Sequence, residues 1–354
     1  MKLLTIIIPT YNMEAYLDRC LGSLVMTDSE LMSQLEVLVV NDGSKDGSMV
    51  IAQRYAGQYP ATYRIIDKEN GNYGSCINRG LAEATGQYIK VLDADDWFIT
   101  AHLAEMMRLM AAHEVDAVIS AYDMVGRKEN DPVPIRYNLP ENEEFALGRM
   151  DDVTMRQVTM HAVAYRTEMV RAIGYRQSEG MSYTDQEWIF LPMAHARKLI
   201  HYGKPVYQYR IGREGQTVNG KVWERNFWME LKGMRVMLDE YHRIAETLEA
   251  DAQRYLEQRL SFRNYAIYEA YFTKFRTTDN NDLMRQYDQQ LATLHPGLYQ
   301  TAGCYSVFGL HYVRWWRGHN FAAHIPWLWL MSWLGNTKKD LKARYKHYRA
   351  KHNS

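Results

Sequence analysis

The stretch Gln87-Tyr88-Ile89-Lys90-Val91-Leu92-Asp93-Ala94-Asp95-Asp96-Trp97 is an apolar run that ends in three carboxylates within four positions. Residues 88 to 92 are mostly β-formers and predict a short buried strand. Thr100 then caps a helical pattern with Leu103, Met106, Met107 and Met110 on one face. The acids therefore stand where a strand ends, which in an open α/β sheet is where ligands bind. Carboxylates so close together repel one another. A hard divalent cation such as Mg²⁺ or Mn²⁺ relieves that repulsion through oxygen ligands, with substrate phosphates completing its shell. Seen alone, Asp-x-Asp-Asp reads more readily as a solvated acidic turn, so the surrounding chain has to decide.

Upstream, Leu3 to Ile8 is nearly continuously apolar, as in a strand covered on both faces, and it stops at Pro9-Thr10-Tyr11-Asn12. A helical pattern through Leu17, Cys20 and Leu24 follows. Leu35 to Val40 forms a second strand ending in Asn41-Asp42-Gly43-Ser44, and Tyr63 to Ile66 a third ending in Asp67-Lys68-Glu69-Asn70-Gly71-Asn72-Tyr73-Gly74. A helix near residues 75 to 85 leads back to the acidic strand. Strand and helix alternate four times in about a hundred residues, the pattern of an α/β protein with a mostly parallel, doubly wound sheet. If the crossovers are right-handed, the polar strand ends converge on one edge. Tyr11 is suited to stack on a base and Asp42 to accept a hydrogen bond from a base or ribose donor; the bland alternatives are a core tyrosine and a turn-forming aspartate. There is no Gly-x-Gly-x-x-Gly after the first strand and no Gly-Lys-Ser/Thr phosphate loop, which removes the main support for a dinucleotide dehydrogenase or a P-loop enzyme.

The chain has 354 residues, enough for about two domains. Its 42 basic and 42 acidic residues cancel, so the total charge gives nucleic-acid binding no support. Cys20, Cys76 and Cys304 are far apart and lack metal-ligand spacing, a usage that fits a reducing compartment. No run reaches the roughly 18 apolar residues of a membrane span. These features predict a cytoplasmic location.

Ile8-Pro9-Thr10-Tyr11-Asn12, Val40-Asn41-Asp42-Gly43-Ser44, Asn78-Arg79-Gly80-Leu81 with Ala84-Thr85-Gly86, and Leu92-Asp93-Ala94-Asp95-Asp96 occur in the order and spacing of family-2 glycosyltransferases. The resemblance is strong over residues 3 to 100 and weaker to about 220. It implies an inverting enzyme of the GT-A fold that takes a nucleotide-diphosphate sugar, commonly a UDP-sugar. By that resemblance Pro9, Tyr11 and Asp42 would line the base pocket, while Asn72, Gly74 and Asn78 would border the nucleotide. Asp93 would contact the ribose or donor sugar, and Asp95 would hold the metal, Mn²⁺ or Mg²⁺, with Asp93 as a further candidate ligand. Asp96 would serve the sugar or merely hold the turn.

Sugar transfer also needs a base for the attacking hydroxyl. In Thr184-Asp185-Gln186-Glu187-Trp188 the resemblance assigns it to Asp185, with Glu187 as the alternative, although Thr184 stands where the family commonly has Glu. Thr184 or Asp185 would equally serve as a helix N-cap. By the same resemblance Arg210 or Arg213, in a glycine-hinged stretch beyond a predicted strand, would neutralise the leaving diphosphate; at least one is expected to be an ordinary solvated arginine. His201 would be a metal ligand only if it lay beside Asp95. Residues 126 to 149, interrupted by Pro132, Pro134 and Pro140, read as a surface excursion or a disordered insertion.

The expected organisation is a catalytic domain over residues 1–220, a helical accessory domain over 221–300 and a tail over 301–354. From His311 onward there are nine bases against one acid, together with Trp315, Trp316, Trp327, Trp329 and Trp333. That composition suits a segment lying in the interface of an anionic membrane, where a lipid-linked acceptor would be found; a helix packed on the catalytic domain is the competing expectation. The expected partners are the sugar donor and a glycan or lipid-linked acceptor, with a role in surface polysaccharide synthesis. A sugar nucleotidyltransferase and a catalytically silent sugar-nucleotide-binding subunit are the alternative readings. Donor sugar, acceptor and linkage depend on a few side chains on variable loops and are not legible here.

Overall fold

The computed structural model describes residues 2–126, 132–212, 220–275, 277–321 and 328. Ten strands occur in chain order: β1 (Leu4–Thr10), β2 (Leu35–Asn41), β3 (Tyr63–Asp67), β4 (Tyr88–Val91), β5 (Trp97–Phe98), β6 (Ala117–Val125), β7 (Val133–Ile135), β8 (Glu144–Phe145), β9 (Val163–Arg166) and β10 (Leu199–Arg210). They form one sheet in the order β3-β2-β1-β4-β9-β6-β10-β5, with β7 added to β6 and β8 to β10. The pairs β1–β2, β2–β3, β1–β4 and β6–β10 are parallel, and β9 runs antiparallel to both β4 and β6. The fold is mixed α/β with a mostly parallel sheet, as the alternation of apolar runs and turn clusters predicts.

Helices α1 (Glu14–Gly22), α2 (Ser29–Gln34), α3 (Ser48–Gln58), α4 (Asn72–Glu83) and α5 (Thr100–Ala112) connect the first strands. Every residue of β2 is buried, and all of β1 except Pro9, which is why both strands read as continuous apolar runs. The chain leaves β1 outward through β2 to β3 and returns to place β4 on the other side of β1. Beside that reversal, at the carboxyl ends of the strands, an α/β sheet offers its ligand crevice.

Residues 132–149 do more than cross the surface. Val133–Ile135 pairs antiparallel with β6, and Glu144–Phe145 with the start of β10, so these described residues extend the sheet. Residues 127–131 lie outside the described part.

The chain divides into two compact units, Met1–Gln216 with Glu240–Arg259, and Thr217–Asp239 with Leu260–Ser354. The second unit is helical. Its core includes Phe227, Met234, Tyr268, Tyr271, Phe272 and Trp316. The fully buried Asp288 is compensated there by Arg317 (2.6 Å) and by the Tyr268 hydroxyl (2.5 Å). No described helix is long and apolar enough to cross a membrane. Arg213 and the tail from residue 322, except Leu328, lie outside the described residues.

Candidate active site

The carboxylates quoted at the outset occupy the turn between β4 and β5. Asp96 is only 1% exposed. Its Oδ1 accepts the Arg210 backbone N–H at 2.7 Å and its Oδ2 the Tyr207 hydroxyl at 2.6 Å, so β10 fastens the turn. Burial, and then the charges of Asp93 and Asp95, hold the Asp96 carboxyl well above the usual range. Asp93 and Asp95 are half-buried. The Tyr73 hydroxyl, from the first turn of α4, donates to Asp93 Oδ1 at 2.9 Å, and the Asp93 N–H donates to the Tyr207 oxygen at 3.1 Å.

His161 completes this corner. One ligand atom each from Asp93, Asp96 and His161 lie within 4.8 Å of one another. Burial and the neighbouring Lys90 push the imidazole down to about 3, so it stays neutral, and it stacks on Tyr209 at 4.3 Å. A neutral imidazole beside carboxylates is a donor set that fits a divalent cation, whose charge would relieve the repulsion among the carboxylates of this turn. Asp95 is outside this three-residue group but on the same turn. The ring of His201 instead packs edge-on against Tyr137, its centroid 6.3 Å away.

Asp185, half-buried, begins a one-turn helix, Asp185–Trp188. Its Oδ2 accepts from Gln186 Nε2 at 2.9 Å, and Gln186 is itself held by Arg259 at 2.7 Å. The field of this corner is recorded at two tyrosines. Burial, and then Asp93, Asp96, Asp185 and Asp95 in that order, hold the Tyr209 hydroxyl above its ordinary value, and Tyr73 likewise responds to burial, Asp93, Asp185 and Asp96. The helix Asp185–Trp188 packs against Met160–Ala162, the turn that carries His161, so the fold brings the segment of Asp185 to the corner of the acids that end β4, although they are far apart in the chain.

Glu187 has a different setting. It is 6% exposed, its Oε2 accepts the Ser178 N–H at 2.8 Å, and burial raises its carboxyl above the usual range. Thr184 makes no side-chain cap; its hydroxyl accepts from Gln177 Nε2 at 2.9 Å. Asn78 spends its amide on the same segment, donating to the Gln177 carbonyl and Glu179 Oε1 and accepting the Gln177 N–H, each at 2.8 Å. Gly74 faces Ser178 so closely that an added Cβ would stand 1.9 Å from the Ser178 carbonyl oxygen. Asn78 and Gly74 therefore tie residues 177–179, the approach to Asp185, onto α4. Asn72, at the start of α4, takes a positive φ of 67° that asparagine tolerates.

At the ends of β1 and β2, Tyr11 is 48% exposed and next to the half-buried Pro9. Asp42 is 4% exposed, and its Oδ1 accepts from Lys68 Nζ at 2.5 Å and from the Gly71 N–H at 2.9 Å. Lys68 also reaches the Ser75 hydroxyl at 2.8 Å. On the other side, Arg210 donates from Nε to the Asp95 carbonyl at 3.1 Å, with its guanidinium 4.9 Å from the Trp97 ring centroid and 5.4 Å from that of Tyr16. The sequence reading gave no role to Lys68, Tyr73, His161 or Tyr207. Each acts across a gap in the chain, and the only local signal was the presence of Lys68 and Tyr73 in the polar loop after β3.

Residues 5–174 match the profile of the family described as Glycosyl transferase family 2. The uncharacterized glycosyltransferase MG060 of Mycoplasma genitalium is 32% identical over 221 residues, 61% of this chain and 72% of that protein. The chain belongs to glycosyltransferase family 2. The putative glycosyltransferase EpsH of Bacillus subtilis is 29% identical over 216 residues, 58% of this chain and 60% of EpsH. This family-2 chain thus spans less than two thirds of the first curated relatives it matches, from 60% of one down to 32% of another. Among solved structures, S. aureus TarS 1-349 in complex with UDP-GlcNAc aligns with 95% of this chain and 92% of its own at a TM-score of 0.67 and 19% identity. That likeness is one of fold, and the fold is GT-A-like.

Proposed function

We propose that this family-2 chain is a metal-dependent inverting glycosyltransferase that moves a sugar from a nucleotide-diphosphate donor, a UDP-sugar, to a hydroxyl of a glycan or lipid-linked acceptor in surface polysaccharide synthesis. The reading is supported by the packing of the helix Asp185–Trp188 against Met160–Ala162, whose His161 groups with Asp93 and Asp96 at the carboxyl ends of the strands.

Pro9 and the exposed Tyr11 ring give the base a surface to lie against, and Asp42 offers it a carboxylate whose orientation Lys68 and Gly71 fix. Asp93 and Asp95 are the groups for a Mn²⁺ or Mg²⁺ ion, and Asp93 has Asp96 and His161 within reach. Such an ion, when bound, supplies Lewis-acid stabilisation of the departing diphosphate. Arg210, held over Trp97, adds a positive charge beside the Asp95 carbonyl; Arg213 is assigned the same task from the sequence alone. Asp185, half-exposed at the start of its helix, takes the proton of the acceptor hydroxyl as that oxygen attacks the anomeric carbon, and a single displacement inverts that centre. Glu187, the alternative base, is the more buried of the two, and its Oε2 accepts the Ser178 N–H. Asn72, Gly74 and Asn78 act by shaping the loop that carries Asp185. The basic, tryptophan-containing tail, by its composition, is assigned to contact with an anionic membrane surface.

The test is Asp185→Asn assayed with UDP-sugars and Mn²⁺. Transfer should fall by roughly 100-fold or more while donor affinity stays near that of the unaltered chain. Asp95→Ala should instead remove metal-dependent donor binding. Unimpaired transfer by Asp185→Asn would overturn the assignment of the base.

A further inference from the structure

The second unit carries a groove of about 420 Å³ lined by Arg235, Gln286, Gln289, Gln290, Thr293 and Leu294. It runs between the helices Phe227–Ile244 and Asn281–Leu294. The two helices point the same way: near their starts Asn280 Nδ2 donates to the Glu224 carbonyl at 2.8 Å, and further along Arg235 Nη1 reaches Gln290 Oε1 at 3.4 Å.

Residues seven apart on a helix share a face. Trp228 therefore stands on the face of Arg235, and Leu283 on the face of Gln290, each about 10.5 Å back along its helix. Both belong to the short set of large apolar side chains left in solvent, Trp228 at 41% exposure and Leu283 at 37%. The result is one stripe with an apolar, aromatic end and an end built of amides and a hydroxyl.

The chemistry of that stripe specifies its ligand. Each glutamine amide presents a donor and an acceptor side by side, the pattern that pairs with neighbouring hydroxyls, and the threonine adds one group of each kind. An indole 41% exposed, as Trp228 is, suits the apolar C–H face of a sugar ring. The lone cation among the lining residues is offset, because Arg235 Nε donates to both carboxylate oxygens of Asp239 at 2.9 and 3.2 Å. Without net charge, the groove has little to hold a phosphate or nucleotide. We propose that this stripe is a binding site for a neutral oligosaccharide, with Trp228 as the ring platform and Gln286 and Gln290 as the hydroxyl readers.

This site is independent of the transfer reading, and one experiment separates them. The full-length chain is titrated calorimetrically with maltohexaose, cellohexaose and chitohexaose. At least one should bind saturably. Its affinity should drop by about tenfold or more in Trp228→Ala and in Gln286→Ala/Gln290→Ala, surface changes that leave the melting temperature unaltered. Binding should persist in Asp95→Ala and in the presence of saturating UDP and Mn²⁺. Failure of all three sugars to bind at millimolar concentration, or equal binding by both groove variants, would overturn the proposal. Loss of binding in Asp95→Ala with both groove variants unaffected would place the sugar at the donor site and overturn it as well.

Discussion

The two acidic stretches of this chain are built alike and fastened differently. In Asp93–Asp96 and in Asp185–Glu187, one carboxylate is buried and bonded to a backbone N–H from outside the stretch: Asp96 to the distant Arg210, Glu187 to Ser178 nine residues before it. The others, Asp93, Asp95 and Asp185, remain half-exposed. Residue type does not tell the fastened carboxylates from the half-exposed ones here. The fastening differs in completeness. Both oxygens of Asp96 have partners, whereas Glu187 Oε1 has none among the described residues. The β4 turn is locked by the sheet itself, while the Asp185 loop is held by amides and by the close approach of Gly74.

The largest effect expected from that contrast is at Asp96. Replacing it by alanine leaves the Tyr207 hydroxyl and the Arg210 N–H without their acceptor in a buried site, which should cost about 3 kcal/mol of unfolding free energy. Asp96→Asn keeps the shape and one acceptor and removes a charge that burial already disfavours, so it should stay close to the original stability. Chemical denaturation of the two variants checks this. Equal losses in both would mean that the charge, rather than the bonding, fastens the turn.

A smaller effect is expected in the other stretch. Gly74→Ala sets a methyl group 1.9 Å from the Ser178 carbonyl, so either α4 or residues 177–179 must move. The cost should be about 1–3 kcal/mol, the range for overpacking. The displacement is passed to Asp185, so kcat should fall more than donor affinity does. A variant with reduced donor affinity and unchanged kcat would assign Gly74 to the nucleotide rather than to the loop.

These contacts mark what the sequence could and could not reveal. The sheet was legible because β1, β2 and β4 are short apolar runs followed by polar turns, and because the acids sit directly after one of them. Strands β7 and β8 were not legible. Val-Pro-Ile carries a proline at its centre and Glu-Phe is two residues long, so neither has a strand pattern, and both exist only by pairing with β6 and β10. Asp93 and Asp95 stood out by local spacing, whereas Asp185 was reached through the family resemblance. Their supports were not legible, because Lys68 meets Asp42 across 26 positions, Tyr73 meets Asp93 across 20 and Tyr207 meets Asp96 across 111. Asn78 and Gly74 were noticed as family positions, but only the folded chain shows their polar group and their missing Cβ turned to residues 177–179.

The smallest expected effect is also the one that most sharpens the contrast between the stretches. Burial raises the Glu187 carboxyl, so over the interval between its ordinary and its raised value the native chain holds a proton that the unfolded chain has released. Stability must then fall as pH rises through that interval, the reverse of the behaviour of a salt-bridged carboxylate. Glu187→Gln cannot titrate, yet its carbonyl can still accept the Ser178 N–H. The difference in stability between variant and unaltered chain should therefore shift in favour of the variant from a pH below that interval to a pH above it, where the original must carry a buried charge. Denaturation midpoints for both chains at the two pH values measure it. If the difference is independent of pH, Glu187 titrates alike in the folded and unfolded chains, and burial is then not what sets it apart from Asp185.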